Sequence, residues 1–246
     1  MRNFRIVLQY EGTKYQGWQK QESTNNTIQG KLEKILTKMV GASVEVHGAG
    51  RTDAGVHAKG QVAHFKLDTG LSEKEIMSYI NQYLPEDIAV ISIKEAGERF
   101  HARLNATGKI YQYRILNSDV PSVFERRLMH IEERPLDLNK MRKAAEIFEG
   151  THDFKAFTST KKGKKSTIRT IWHIDIEKLG DEVCITYKGD GFLYHMVRIL
   201  SGTLMEVGLS ERSVESVEEA LKSMERKNAG FLAPAKGLTL VEVLYH

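Results

Sequence analysis

Between two apolar alternating segments runs Gly48-Ala49-Gly50-Arg51-Thr52-Asp53-Ala54-Gly55-Val56-His57, and it constrains the chain more than any other stretch. Its glycines permit backbone turns that other residues resist, so the polar tripeptide Arg51-Thr52-Asp53 is displayed on a connection between strands. Two familiar phosphate-binding patterns do not fit. The third glycine of a dinucleotide fingerprint would fall on Asp53, and no Gly-Lys-Ser/Thr follows. Two readings stay open on spacing alone. The Asp caps backbone amides in a hairpin-like connection, or it is a carboxylate held ionised by a nearby cation, ready to act as nucleophile or base.

The periodicity around this segment gives an α+β chain. Phe4, Ile6 and Leu8 share one face of a strand over Arg2 to Tyr10. Ile28, Leu32, Ile35, Leu36 and Met39 recur at helical spacing, with Gly41 placed to end that helix. Strands are expected over 43–47, 61–67 and 88–93. A helix opened by a Ser72/Glu75 capping box stops before Pro85. The second half repeats this grammar. It has strands over 109–116, 170–176, 182–188 and 238–244, an Asp137-capped helix closed by Gly150, and helices over 193–207 and from Ser210 to Met224. Tyr111, Tyr113 and Ile115 share one strand face, and the two tyrosines are sheet or core aromatics by default. Met196, Val197, Leu200 and Leu204 are core positions that leave Arg198 either at the surface or as a buried partner. No residue-level repeat links the halves and no Pro/Ser-rich linker divides them, so two α+β halves sharing a sheet are a topological expectation.

Composition narrows the class. One cysteine, Cys184, in 246 residues excludes a disulfide framework or a thiolate zinc site and fits a reducing, cytoplasmic setting. No apolar run approaches the roughly 18 residues of a membrane span. His47, His57 and His64 lack metal-ligand spacing, so no metal is expected. The net charge of +4 is mild, but Lys155, Lys161, Lys162, Lys164, Lys165 and Arg169 fall together with no acidic residue between them. Such a run is either a solvated loop or a phosphate-binding surface.

Eight pieces in order carry a resemblance along nearly the whole chain. They are Tyr10-Glu11-Gly12-Thr13 with Gly17-Trp18-Gln19; Gln29-Gly30; Gly50 to Ala58; Phe100-His101-Ala102-Arg103; Lys109 to Tyr113; Gly150 to Phe154; Gly191 to Arg198; and Ala233 to Leu238. In these the chain resembles the bacterial tRNA pseudouridine synthases of the TruA type. It departs at Glu11, where the family usually has Asp, and at Phe231-Leu232, in place of Pro-Thr.

The resemblance implies isomerisation of uridine to pseudouridine at positions 38, 39 and 40 of the tRNA anticodon stem-loop, without cofactor or metal. It implies that Asp53 is the catalytic carboxylate, adding to C6 of the base, attacking C1′ or abstracting the 2′-proton. Arg198 is then its charge partner, Arg51 holds the target nucleotide outside its stack, and Tyr111 stacks on the base, with Thr52 and His57 as further substrate-binding residues. A homodimer in the cytoplasm follows from the same resemblance. So does a fold of two ferredoxin-like halves, 1–105 and 106–246, forming a joint, mostly antiparallel sheet around a central RNA-binding cleft. Two rivals compete with this reading. A catalytically silent RNA-binding protein needs no Asp on a Gly-rich turn. A nucleosidase or glycosidase usually needs a second carboxylate, and none accompanies Asp53 in its segment.

Overall fold

A computed structural model of the chain describes residues 1–160 and 166–246. Lys161, Lys162, Lys164 and Lys165, the centre of the basic run, therefore lie outside the described residues. The chain divides into two compact units, Met1–Thr107 with Thr239–His246, and Gly108–Leu238.

The first unit contains β1 (Arg2–Tyr10), α1 (Ile28–Val40), β2 (Val46–Gly48), β3 (His57–Leu67), α2 (Glu73–Tyr83) and β4 (Ile88–Ala96). Its sheet runs in the order β4-β1-β3-β2, all antiparallel, which is the ferredoxin-like βαββαβ arrangement. The alternation in β1 does what a half-buried strand requires: Phe4, Ile6 and Leu8 are fully buried. They share the core with Phe65 of β3, Ile28, Leu32 and Leu36 of α1, and Ile76 and Ile80 of α2. Thr27 caps α1 by accepting from the Gly30 amide, and Gly41 ends it in the left-handed conformation at φ 72°. The expected Ser72/Glu75 capping box forms at the start of α2. A register shift in the β1–β3 ladder falls between Leu8 and Tyr10, where β1 nears the Gly-rich segment.

A fifth strand joins this sheet from far along the chain. In β10 (Leu238–Leu244), Thr239 and Leu240 pair parallel with His57 and Ala58 at the opening of β3. The sequence pattern divides the halves at residue 105 and places 238–244 in the second; this unit runs to Thr107 and also takes Thr239–His246. A parallel pairing with no crossover nearby in the chain leaves no local trace.

The second unit contains β5 (Gly108–Leu116), β6 (His130–Ile131), α3 (Leu138–Phe148), β7 (Gly150–Asp153), β8 (Ile168–Leu179), β9 (Glu182–Gly189), α4 (Met196–Gly208) and α5 (Glu215–Ser223). Its strands follow the order β5-β9-β8-β7, antiparallel throughout, with β6 parallel to β5. Tyr113, Ile115, Ile171, Ile185, Tyr187, Met141 and Phe148 are fully buried. α4 is buried almost all round and so is a core helix rather than a surface one. Two expected helices start later than the pattern suggests. α4 begins at Met196 because His195 is left-handed at φ 64°, and α5 begins at Glu215 after Ser210 at φ 60°.

Candidate active site

The expected site residues divide between the units: Arg51, Thr52, Asp53 and His57 in the first, Tyr111 and Arg198 in the second. In the first unit the Asp53 turn is clamped from both sides. The Trp18 amide donates to the Thr52 carbonyl at 3.0 Å, and the Gly55 amide donates to the Tyr15 carbonyl at 3.2 Å. Gly55 itself adopts φ 78°. The clamp is anchored on α1, since Gly17 and Trp18 carbonyls accept from the Ile28 and Gln29 amides at 3.2 and 3.0 Å. Each such bond contributes on the order of 1 kcal/mol net, so the turn is fixed by several small terms acting together.

Glycine is required where these segments cross. A Cβ on Gly12 would lie 2.0 Å from the Val56 carbonyl oxygen, and one on Gly17 would lie 2.6 Å from that of Thr52. Beneath the turn the Tyr10 and Thr52 hydroxyls share a 2.8 Å hydrogen bond. Gln61 donates its Nε2 to the Gly50 carbonyl at 3.0 Å. Burial pushes the Tyr10 phenol up to about 12, so it stays neutral and hydrogen-bonding.

Thr52 and His57 are thereby used structurally. Thr52 is buried, with its hydroxyl on Tyr10. His57 is 3 % exposed, and its Nδ1 accepts from the Gly12 amide at 2.9 Å, which joins the two loops. That bond makes Nδ1 the unprotonated ring nitrogen. Arg51 is exposed and Asp53 half-buried, so the turn presents one cation and one carboxylate two residues apart.

The three histidines that meet in the first unit are His47, His64 and His101, with ring centroids 4.6–5.4 Å apart. The cross-strand pairing His47↔His64 places the first two, and the loop after β4 supplies His101. His57 is absent from this group, held instead against the Gly12 amide. His64 accepts the Ala102 amide at Nδ1, and His101 accepts those of Arg103 and Leu104. Burial, then the neighbouring His101 and His47, push His64 down to about 4. Among the described residues no group of three or more His, Cys, Asp or Glu is arranged to hold a metal ion.

In the second unit Tyr111 is buried on β5, its ring meeting Phe192 edge-on at 5.4 Å. Tyr113 faces the same way and is a core residue, with its hydroxyl donating to the Pro234 carbonyl at 2.9 Å. Burial raises the Tyr113 phenol, opposed by the charge of Arg198. Arg198, half-buried in the first turn of α4, donates Nε to the Ala233 carbonyl at 2.7 Å, while the Ala233 amide donates back to the Arg198 carbonyl at 3.2 Å. This reciprocal pair fixes the base of the side chain. Of the supporting residues, Tyr10 and Trp18 stand in the sequence only as parts of motifs, with no structural role assigned, and Gln61 carries no signal there at all.

A family model described as tRNA pseudouridine synthase matches residues 6–105 and 144–246. A tRNA pseudouridine synthase A of Bacillus sp. (strain KSM-64) is 47% identical over 241 residues, covering 98% of each chain. A tRNA pseudouridine synthase A 2 of Clostridium perfringens (strain 13 / Type A) is 43% identical over 245 residues, 100% of each. One of Bacillus anthracis is 41% identical over 244 residues, 99% of each.

Proposed function

Because this chain belongs to the tRNA pseudouridine synthase family, and is thereby an isomerase acting on tRNA, we propose that Asp53 is its catalytic carboxylate and the anticodon stem-loop, at positions 38, 39 and 40, its target. The reaction breaks the N1–C1′ bond of uridine, turns the uracil while it is held, and joins C5 to C1′. The C5 proton leaves and N1 gains one, so the product is an isomer. Addition to C6, attack at C1′ and removal of the 2′-proton all need an ionised carboxylate held against the nucleoside. The observation that carries the assignment is the clamped turn. A half-buried Asp sits between residues whose carbonyls and amides are tied to Trp18 and Tyr15.

The other roles follow from what each side chain offers. Arg51 is exposed beside Asp53, suited to hold an extruded nucleotide whose unstacking costs a few kcal/mol. Tyr111 supplies a ring for the base and a hydroxyl for the C5 proton. Arg198, with Nε engaged by Ala233, supplies a cation to pair with and orient the carboxylate. Thr52 and His57, expected to bind substrate, are better read as holding the turn. We propose a homodimer acting in the cytoplasm; among the described residues no helix is long and apolar enough to cross a membrane.

The test is incubation with unmodified tRNA followed by digestion and nucleoside analysis. Wild type should yield pseudouridine, and Asp53→Asn, isosteric but uncharged, should lose more than nine-tenths of the rate while binding tRNA normally. Retention of more than a tenth, a loss below about 1.4 kcal/mol, would overturn the assignment. Free uracil would point to a hydrolase, and binding without any change in the nucleosides to a silent RNA-binding protein.

A further inference from the structure

The segment Gly191 to Arg198 holds a feature that the proposed chemistry does not use. Tyr194 is 55 % exposed, yet its ring stacks on His195 at 3.7 Å with 27° between the planes. An exposed aromatic side chain is usually free to rotate, and this one is held at its backbone and at one face. The Tyr194 carbonyl accepts from the Thr158 hydroxyl at 2.9 Å and from the Ser159 amide at 3.3 Å. The supporting ring is held too, with His195 Nδ1 at 2.9 Å from the Ser159 hydroxyl. His195 is one of three described non-glycine residues at positive φ, 64°. For a residue with a Cβ that conformation is unfavourable and persists where the surroundings impose it.

We propose that Tyr194, backed by His195, is a stacking platform for a nucleobase of the tRNA substrate next to the target uridine. One face of the phenol ring is covered by the imidazole and the other is left for a base, the arrangement by which single-stranded or unstacked nucleotides are held. Its position supports the same occupant. Two residues earlier, Phe192 packs on Tyr111, and two residues are a span of at most about 7 Å. Four residues later stands Arg198, and Arg169 lies against Gly191 with its Nη1 given to the Ser166 carbonyl at 3.2 Å. Two arginines at the same stretch of chain suit an occupant that carries phosphate better than an apolar protein surface. The inference rests on the reading of Tyr111 as the residue that meets the target base, and it adds a contact to a second nucleotide.

The experiment measures binding and single-turnover isomerisation on anticodon stem-loop RNA for wild type, Tyr194→Ala, Tyr194→Phe and His195→Gly. A parallel set of RNAs carries one abasic site at each loop position in turn. Tyr194→Ala should weaken binding about 5- to 150-fold, the range for loss of one stacked base, and Tyr194→Phe should restore it. His195→Gly, which relieves the positive φ and removes the backing ring, should weaken binding less than Tyr194→Ala does. One abasic RNA should bind wild type as weakly as Tyr194→Ala binds intact RNA, with no further loss when the two changes are combined. Binding by Tyr194→Ala within twofold of wild type would overturn the platform. So would losses that simply multiply on every abasic RNA. Absence of pseudouridine from the wild-type reaction would instead count against the proposed function, so the two failures are distinguishable.

Discussion

Gly17 and Gly41 make a paired test of how the Asp53 turn is positioned. Both have left-handed backbones, at φ 85° and 72°. A Cβ on Gly41 would meet nothing within 4 Å, whereas one on Gly17 would lie 2.6 Å from the Thr52 oxygen, 3.1 Å from the Asp53 carbonyl carbon and 3.2 Å from the Ala54 nitrogen. Gly41→Ala therefore carries only the conformational cost, about 1–2 kcal/mol. In a chain of this length that lowers Tm by roughly 2–8 °C. Gly17→Ala carries the same cost and a clash with backbone that cannot rotate aside. Ordinary contact begins at 3.4 Å, so the turn must retreat by about 0.8 Å, which adds roughly 1–3 kcal/mol for the strained packing. A displacement near 1 Å at a reacting group costs up to about 100-fold in rate. Thermal melts should show Gly17→Ala as the less stable variant. Single-turnover assays run well below both melting points should show a loss of tens-fold for Gly17→Ala and full activity for Gly41→Ala. Equal melting shifts with full activity in both would refute the argument that Gly17 sets the position of Asp53.

The other predictions address single groups. Tyr111→Phe should keep tRNA affinity and slow single-turnover isomerisation at least about 100-fold, the low end of the range for a lost proton-transfer group; a wild-type rate would exclude its hydroxyl from proton transfer. Thr52→Val leaves the buried Tyr10 hydroxyl with only the 3.5 Å contact from Gln61 and should cost about 1–3 kcal/mol in urea unfolding. Tyr10→Phe/Thr52→Val should cost about 1 kcal/mol less than the sum of the single changes, and additivity within about 0.5 kcal/mol would deny the bond. His64, held at about 4 in the folded protein against 6.5 when unperturbed, binds its proton more readily in the unfolded chain. Stability should therefore fall as pH drops below about 6.5 and level off below about 4. His64→Asn, which can keep an acceptor for the Ala102 amide, should flatten that slope, and an unchanged slope would remove His64 as its source.

What could be read from sequence follows the range of the forces involved. The Ser72/Glu75 box, the Asp137 cap and the Gly41 stop are set within one helical turn, and each stands where the pattern places it. The alternation of Tyr111, Tyr113 and Ile115 likewise gave the buried face of β5. The Asp53 segment was conspicuous because its glycines are local. The reasons for them were hidden, since the Thr52, Val56 and Gly50 carbonyls meet residues from other elements. His101 joined His47 and His64 through a loop that no periodicity describes. The two-residue strand β6 and the four-residue β7 are too short for any periodic signal. Local chemistry was legible; pairing across distant segments was not.

The placement of β10 has a consequence for biosynthesis. The ribosome makes β1 to β4 first, yet the strand that covers the opening of β3, immediately after the Asp53 turn, is encoded roughly 130 residues later. At cellular elongation rates that interval is on the order of ten seconds. Throughout it, the backbone of His57 and Ala58 lacks its parallel neighbour, while all of Gly108–Leu238 emerges and can fold. The parallel pairing beside the Asp53 turn is thus completed late in translation, after Tyr111 and Arg198 of the second unit have been made. A nascent chain stalled before Thr239 would carry every proposed catalytic side chain and still leave the edge beside Asp53 open to pairing with another polypeptide.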